Sequence, residues 1–171
     1  AAIQHPVIIQ VYDIAEDNGR HFIAMDLIDG EDGYQKLKRD GALPVRQVLE
    51  IAERIASALQ AAQKQSIIHR DIKPDNIMLC SDVGLAKNIE DDTTVTQSGA
   101  GIGTPYYIAP EQARDAANVD HRADIYALGV TLLHLVTAKR PFDGEQPWEI
   151  VEKHVKQPLP KGKDLGVELP A

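Results

Sequence analysis

One eight-residue stretch, His69-Arg70-Asp71-Ile72-Lys73-Pro74-Asp75-Asn76, carries an acid, a base and an amide at offsets suited to phosphoryl transfer onto a hydroxyl. In that chemistry a carboxylate orients the attacking hydroxyl and takes its proton. A lysine two residues on steadies the transferred phosphate as a point charge, and an amide five residues on offers an oxygen to Mg²⁺. Asp71, Lys73 and Asn76 stand at those three offsets. Mg²⁺ prefers oxygen ligands in octahedral geometry and keeps several waters, so few protein oxygens suffice. The bland alternative is a chance charged turn before a strand, with Asp71 a turn residue and Lys73 solvated. The number of fixed residue types in so short a string weighs against it.

Such a loop needs rigid elements on either side. From Pro44 to Gln65, apolar residues at Val45, Val48, Leu49, Ala52, Ile55, Ala56, Leu59 and Ala62 form a helical stripe opened by a proline. Ala123 to Ala138 is apolar almost all round, apart from Asp124, Thr131, His134 and Thr137, which predicts a helix buried on most faces and stopped by Pro141 and Gly144. Pro147 to Lys156 reads as a short amphipathic helix, and the tail with Pro158, Pro160 and Pro170 as mostly extended. Near the start, Val7 to Ile14 and His21 to Leu27 read as two strands joined at Asp17-Asn18-Gly19, a strong hairpin signal. There is no internal repeat and no low-complexity segment.

The eight-residue string resembles the catalytic loop of protein kinases. Three further segments, in the family's order, extend the resemblance over nearly the whole chain. Gly103-Thr104-Pro105-Tyr106-Tyr107-Ile108-Ala109-Pro110-Glu111 resembles the segment ending in Ala-Pro-Glu. Asp124-Ile125-Tyr126-Ala127-Leu128-Gly129-Val130 resembles the start of the buried helix of the large lobe, and Lys139-Arg140-Pro141-Phe142 the turn after it. Lys73 is the serine/threonine form of the loop, and Ile67-Ile68-His69-Arg70-Asp71-Ile72-Lys73-Pro74-Asp75-Asn76-Ile77-Met78-Leu79 is most similar to the bacterial serine/threonine kinases.

The resemblance implies an α+β, protein kinase-like fold. Residues 1–28 would be the remnant of the small lobe and the hinge, and 29–171 a large lobe incomplete at its C-terminus. It implies Asp71, Lys73 and Asn76 as catalytic residues, and Asn76 and Asp82 as Mg²⁺ ligands. Met25 would be the gatekeeper, although a core methionine in a two-stranded ribbon accounts for it equally well. The backbone of Asp26 and Ile28 would hold the adenine edge of ATP. Asp29 and Asp32 could reach a ribose, but a solvated acidic turn accounts for either more simply. Arg70 would bind a phosphate on a segment offering Thr93, Thr94, Thr96 and Ser98, while Thr104 would contact Asp71 and Lys73. An unmodified polar loop fits that segment equally well. Asp124 would accept hydrogen bonds from the catalytic-loop backbone; the competing account is an acid favoured near a helix N-terminus. Glu111 would lack the arginine that the family pairs with it, leaving a costly buried charge.

Two departures from the family pattern stand out. Val83 replaces the phenylalanine of Asp-Phe-Gly, and only five residues separate Asn76 from Asp82, where the family inserts a longer hairpin. A tight hairpin could still bring both ligands within roughly 5 Å, the spacing of neighbouring strands; residues missing at about Leu79-Cys80-Ser81 would be simpler. No glycine-rich phosphate loop, no Val-Ala-Ile-Lys-like strand and no glutamate-bearing helix precedes His5. The expectation is therefore a kinase domain truncated at both ends and inactive, or nearly so, by itself.

Composition bounds the alternatives. At 171 residues, 43% hydrophobic and 26% charged, the chain fits one soluble globular domain. A formal charge of −8 with no basic run argues against a nucleic-acid partner. The single Cys80 has no internal disulfide partner and no basic neighbour, which suits a reducing compartment and an inert thiol. No run of eighteen apolar residues is present, so the expectation is a cytoplasmic domain with no membrane segment in this chain, whatever anchor a full-length protein carries. The expected partners are ATP and proteins presenting Ser or Thr. A non-catalytic pseudokinase or interaction module is the rival reading. A small-molecule phosphotransferase fits less well, because the Gly-Thr-Pro to Ala-Pro-Glu segment shapes a peptide-binding surface.

Overall fold

The structure is a computed structural model that describes residues 3–80, 86–87 and 105–167. Strands β1 (Val11–Asp17) and β2 (Arg20–Met25) form an antiparallel hairpin. Its turn residues Asn18 and Gly19 have φ of 51° and 75°, the left-handed pair that a two-residue hairpin loop requires. Pairing runs from Asp17↔Arg20 through Ile14↔Ile23, with an irregularity between Val11 and Asp13.

Val7, Ile8 and Ile9 do not extend β1, contrary to the sequence expectation. The Ile8 amide donates to His5 O at 3.0 Å, closing a turn through Pro6. The Gln10 side chain then donates to Ile3 O and Ile8 O at 2.9 and 3.3 Å. Ile3, Val7 and Ile8 are buried in the same core as the helices, so a run read as strand is an anchor into the helical part. Proline withholds a ladder donor, and three consecutive apolar side chains are better buried in a turn than split between two faces of an open ribbon.

A short strand β3 (Gly30–Asp32) leads into helix α1 (Gly33–Asp40). The Asp32 carboxylate accepts from the Gln35 amide at 2.8 Å and so caps α1, a structural use of this residue. Helix α2 (Val45–Lys64) follows with Pro44 at its N-cap. Its buried residues are Val48, Ile51, Ile55, Ala58 and Ala62, so the core stripe is rotated from the one expected: Leu49 is 62% exposed while Ile51 is buried. The 3₁₀ turn Pro74–Asn76 and strand β4 (Ile77–Cys80) come next, and β4 lies between β3 and the two-residue strand β5 (Ala86–Lys87). At Gly30 the sheet is too tight for a side chain, since a Cβ would lie 2.5 Å from Leu79 O.

Helix α3 (Pro110–Arg114), a 3₁₀ turn (Ala116–Asn118), helix α4 (Arg122–Thr137), helix α5 (Pro147–Lys156) and a final 3₁₀ turn (Gly162–Leu165) complete the described chain. That last turn interrupts a tail expected to be extended. Most of α4 is buried, including Asp124, Thr131 and His134, as its sequence predicts. It ends at Ala138, which takes a left-handed φ of 54° and donates its amide to His134 O. The main core lies between α2 and α4, centred on Ile55 and Leu135, and reaches Ile72 within the charged loop and Ile77 just after it. Among the described residues no helix is long and apolar enough to cross a membrane.

Candidate active site

The loop from His69 to Asn76 sits on the two large helices through its backbone rather than its charged side chains. Ile72 and Pro74 point into the core and are almost fully buried, while Arg70 and Asp71 are exposed. This alternation pins the backbone and leaves the polar side chains outside. Arg70 takes a left-handed φ of 66°, costly for a residue with a Cβ.

That conformation is held from several directions. The Asp124 carboxylate, 3% exposed in the first turn of α4, accepts the His69 amide at 2.9 Å on one oxygen and the Arg70 amide at 2.8 Å on the other. The Asp71 amide donates to His69 Nδ1 at 3.2 Å, and the Arg70 carbonyl accepts from Gln112 Nε2 at 3.0 Å. Further along, Thr131 Oγ1 donates to Ile72 O at 3.3 Å. A buried carboxylate is stable only when its oxygens are bonded, and here both are taken by backbone N–H groups.

The three side chains singled out by spacing come together. Lys73 Nζ lies 2.7 Å from Asp71 Oδ2, and Asn76 Nδ2 lies 2.8 Å from that same oxygen and 2.8 Å from Asp71 O. The Asp71 side chain remains 53% exposed. Because the Asn76 amide nitrogen is spent on Asp71, its Oδ1 is the atom left to accept or to ligate. A hard oxygen of this kind suits Mg²⁺. Its expected partner Asp82, together with Val83, lies outside the described residues. Among the described residues no group of three His, Cys, Asp or Glu side chains is disposed to hold a metal ion.

The register of β4 and β5 bears on the short spacing. Ile77, next to Asn76, pairs with Lys87, and Met78 pairs with Ala86. The strand position opposite the start of β4 is thus filled by Lys87, further along the chain than Asp82.

In the segment expected to form the hinge, Met25 and Ile28 are half-buried and Leu27 is 98% exposed. The Asp26 amide donates to Gln10 O at 3.0 Å, and the Asp26 carboxylate accepts from the Gln10 amide and the Tyr12 hydroxyl. The Tyr12 hydroxyl and then the Gln10 amide hold the Asp26 carboxyl below the usual carboxylate range.

Thr93, Thr94, Thr96, Ser98 and Thr104 lie outside the described residues; the segment resumes at Pro105. Two tyrosine–histidine pairs then fasten it to the helices. The Tyr107 hydroxyl is 2.8 Å from His134 Nδ1 on α4, with the rings stacked. His154 on α5 bridges Tyr106 O, at 3.0 Å from Nε2, and the Tyr126 hydroxyl, at 2.8 Å from Nδ1. A carbonyl can only accept, so Nε2 carries the proton and Nδ1 accepts from Tyr126. Burial, then Arg140, pushes His134 down to about 4, and burial lowers His154. The Arg140 guanidinium stands 3.7 Å above the Tyr106 ring.

Glu111 differs from expectation. It is exposed in the first turn of α3, a helix with no buried residue, so no buried charge is left uncompensated there. Gln112 and the histidine pairs were not foreseen. His134 carried a weak signal, as a polar residue in an otherwise apolar helix; Gln112 carried none.

Comparison with known proteins agrees with this arrangement. The family described as protein kinase domain matches residues 1–165. Serine/threonine-protein kinase PknB of Mycobacterium leprae is 38% identical over 186 residues, spanning 100% of this chain and 30% of the relative. PrkC of Bacillus subtilis is 34% identical over 177 residues, covering 99% of this chain and 27% of the relative. PknA of Mycobacterium tuberculosis is 39% identical over 174 residues, covering 94% and 39% respectively. The chain thus spans well under half the length of these relatives. An alignment of 186 residues against a chain of 171 must also open gaps in this chain, in keeping with a segment shorter than its relatives'. On the match across nearly its full length and the assembled loop from His69 to Asn76, the chain belongs to the protein kinase family, of the bacterial serine/threonine type.

Proposed function

We propose that this chain carries the catalytic loop of an enzyme that moves the γ-phosphoryl group of Mg-ATP onto Ser or Thr hydroxyls of proteins. The observation that carries the reading is the convergence of Lys73 Nζ and Asn76 Nδ2 on Asp71 Oδ2, at 2.7 and 2.8 Å. Two donors on one carboxylate oxygen leave the other to orient a hydroxyl and take its proton. Lys73 is half-buried beside it, placed to steady a phosphate, and Asn76 Oδ1 would serve as one metal ligand with Asp82 as the other. Bound Mg-ATP supplies the phosphoryl group and the charge neutralisation that its transfer needs. Met25 and the backbone of Asp26 and Ile28 would border the adenine, with residues 1–28 on the small-lobe side and 29–171 forming the large lobe. Arg70, exposed beside Asp71, would bind a phosphate on Thr93, Thr94 or Thr96.

The 171-residue chain by itself is expected to be inactive or nearly so. Its sequence holds no Gly-x-Gly-x-x-Gly loop to position the phosphates. A non-catalytic reading draws on one observation, the β4–β5 register that fills the position opposite Ile77 with Lys87.

Incubating the chain with Mg-ATP and casein, followed by intact-mass spectrometry with Asp71→Asn as control, tests the first claim. Transfer abolished in the control would overturn the expected inactivity. The same assay on the gene product in its native length tests the activity itself. Absence of transfer there, together with absence of Mg-dependent nucleotide binding, would replace the enzyme by an interaction module.

A further inference from the structure

The peptide unit joining Arg70 to Asp71 is held at both of its polar ends. Its N–H, on Asp71, donates to His69 Nδ1 at 3.2 Å, and its carbonyl, on Arg70, accepts from Gln112 Nε2 at 3.0 Å. The preceding residue pair is held by Asp124 at 2.9 and 2.8 Å, and the Asp71 carbonyl by Asn76 at 2.8 Å. Among these partners Gln112 alone comes from α3, the helix that continues directly from the Pro105–Ala109 segment.

This placement matters because Arg70 has a φ of 66°. A left-handed residue with a Cβ returns readily to the common region unless its neighbouring peptide planes are fixed. Rotation of the Arg70–Asp71 plane would swing the Cα–Cβ bond of Asp71 and carry its carboxylate away from Lys73 and Asn76. An amide donor fits the carbonyl; a carboxylate in the same place would repel it.

Resting on the reading of Asp71 as the residue that receives the hydroxyl proton, we propose that Gln112 is a positioning residue for Asp71. Its side-chain amide locks the Arg70–Asp71 peptide and ties the orientation of Asp71 to the Pro105–Ala109 segment. Displacement of that segment would withdraw the donor and release the peptide, so the two parts of the site are set together.

Two measurements decide it. Amide hydrogen exchange in the 171-residue chain needs no activity: Gln112→Ala should speed exchange at Asp71 by about tenfold and leave the interior of α4 unchanged. Transfer kinetics on the native-length gene product should show kcat reduced about tenfold in Gln112→Ala with KM for ATP unaltered. In Gln112→Glu the introduced carboxylate, ionised throughout the assay range above about pH 5, repels the carbonyl instead of donating to it, so kcat should fall at least as far as in Gln112→Ala. Unaltered exchange at Asp71, acceleration spread equally through α4, or wild-type kcat in Gln112→Glu would overturn the proposal. If the native-length wild type transfers nothing, the phosphotransfer reading fails, and the exchange result alone decides whether Gln112 holds the peptide.

Discussion

The loop from His69 to Asn76 and the β1–β2 hairpin are built on opposite principles. Between His69 and Ile77 the exposed functional side chains alternate with buried anchors, and the backbone is gripped by Asp124, Gln112 and Thr131 from two helices. The hairpin is held by its own ladder and turn, and it leaves Tyr12, Ile14, Phe22 and Ile23 between 40% and 69% exposed. A strained conformation such as that of Arg70 persists only where outside contacts over-determine it. A relaxed one such as the Asn18-Gly19 turn needs little beyond its own residues. Single changes should therefore act on the whole molecule in the first region and only locally in the second.

The largest effect is expected at Asp124. Replacing it by alanine leaves the His69 and Arg70 amides without acceptors and frees the strained residue. Urea denaturation should show a loss of about 3 kcal/mol or more. A loss below about 1 kcal/mol would mean that the loop is held by its buried apolar anchors alone.

Next come the cores. Ile55 and Leu135 are fully buried, and truncating either to alanine should cost about 3 kcal/mol. Ile14→Ala in the hairpin, at a residue 68% exposed, should change global stability by under about 0.5 kcal/mol. Comparable losses at both places would erase the contrast and show that the hairpin unfolds together with the helices.

The buried histidines sharpen the comparison through pH. His134 is pushed from 6.5 to about 4, so between those values the unfolded chain binds a proton that the folded chain refuses. The stability it contributes is complete above the unfolded value and is lost as pH falls from about 6.5 towards 4. Denaturation midpoints measured between pH 7 and 4.5 should fall less steeply in His134→Gln than in the wild type. Parallel curves would show that carboxylates elsewhere dominate acid unfolding.

The smallest global effect is expected at Gly19. Its φ of 75° disfavours a Cβ by about 1 kcal/mol, so Gly19→Ala should loosen the hairpin. Hydrogen exchange in 11–25 should accelerate with the urea midpoint almost unchanged.

Some of this organisation was readable along the chain. The turn at Asn18-Gly19 is dictated by two residues that tolerate a left-handed backbone. Helix α2 follows from its 3.6-residue period, and the full burial of α4 from a surface with almost no polar face. Errors arose where a local pattern had more than one physical outcome. Val7-Ile8-Ile9 has the composition of a strand, yet it turns into the helical core because Pro6 and the Gln10 side chain close a turn around it. Leu49 and Ile51 lie on nearly opposite faces of the helix, each extending a different apolar stripe through Val48 and Ile55, and only packing decides which faces inward.

By itself the sequence determined which groups stand at the charged loop and their spacing, since Asp71, Lys73 and Asn76 are only a few residues apart and one 3₁₀ turn brings them together. The tertiary structure alone decided what holds that loop. Asp124, Gln112 and Thr131 reach it across 54, 42 and 59 residues of chain. Tyr107 meets His134, and Tyr126 meets His154, across 27 and 28 residues. Contacts of that separation leave no period in the sequence. They depend on how α3, α4 and α5 pack, and for α4 and α5 that packing is set by burial of apolar surface rather than by the polar residues that then find one another.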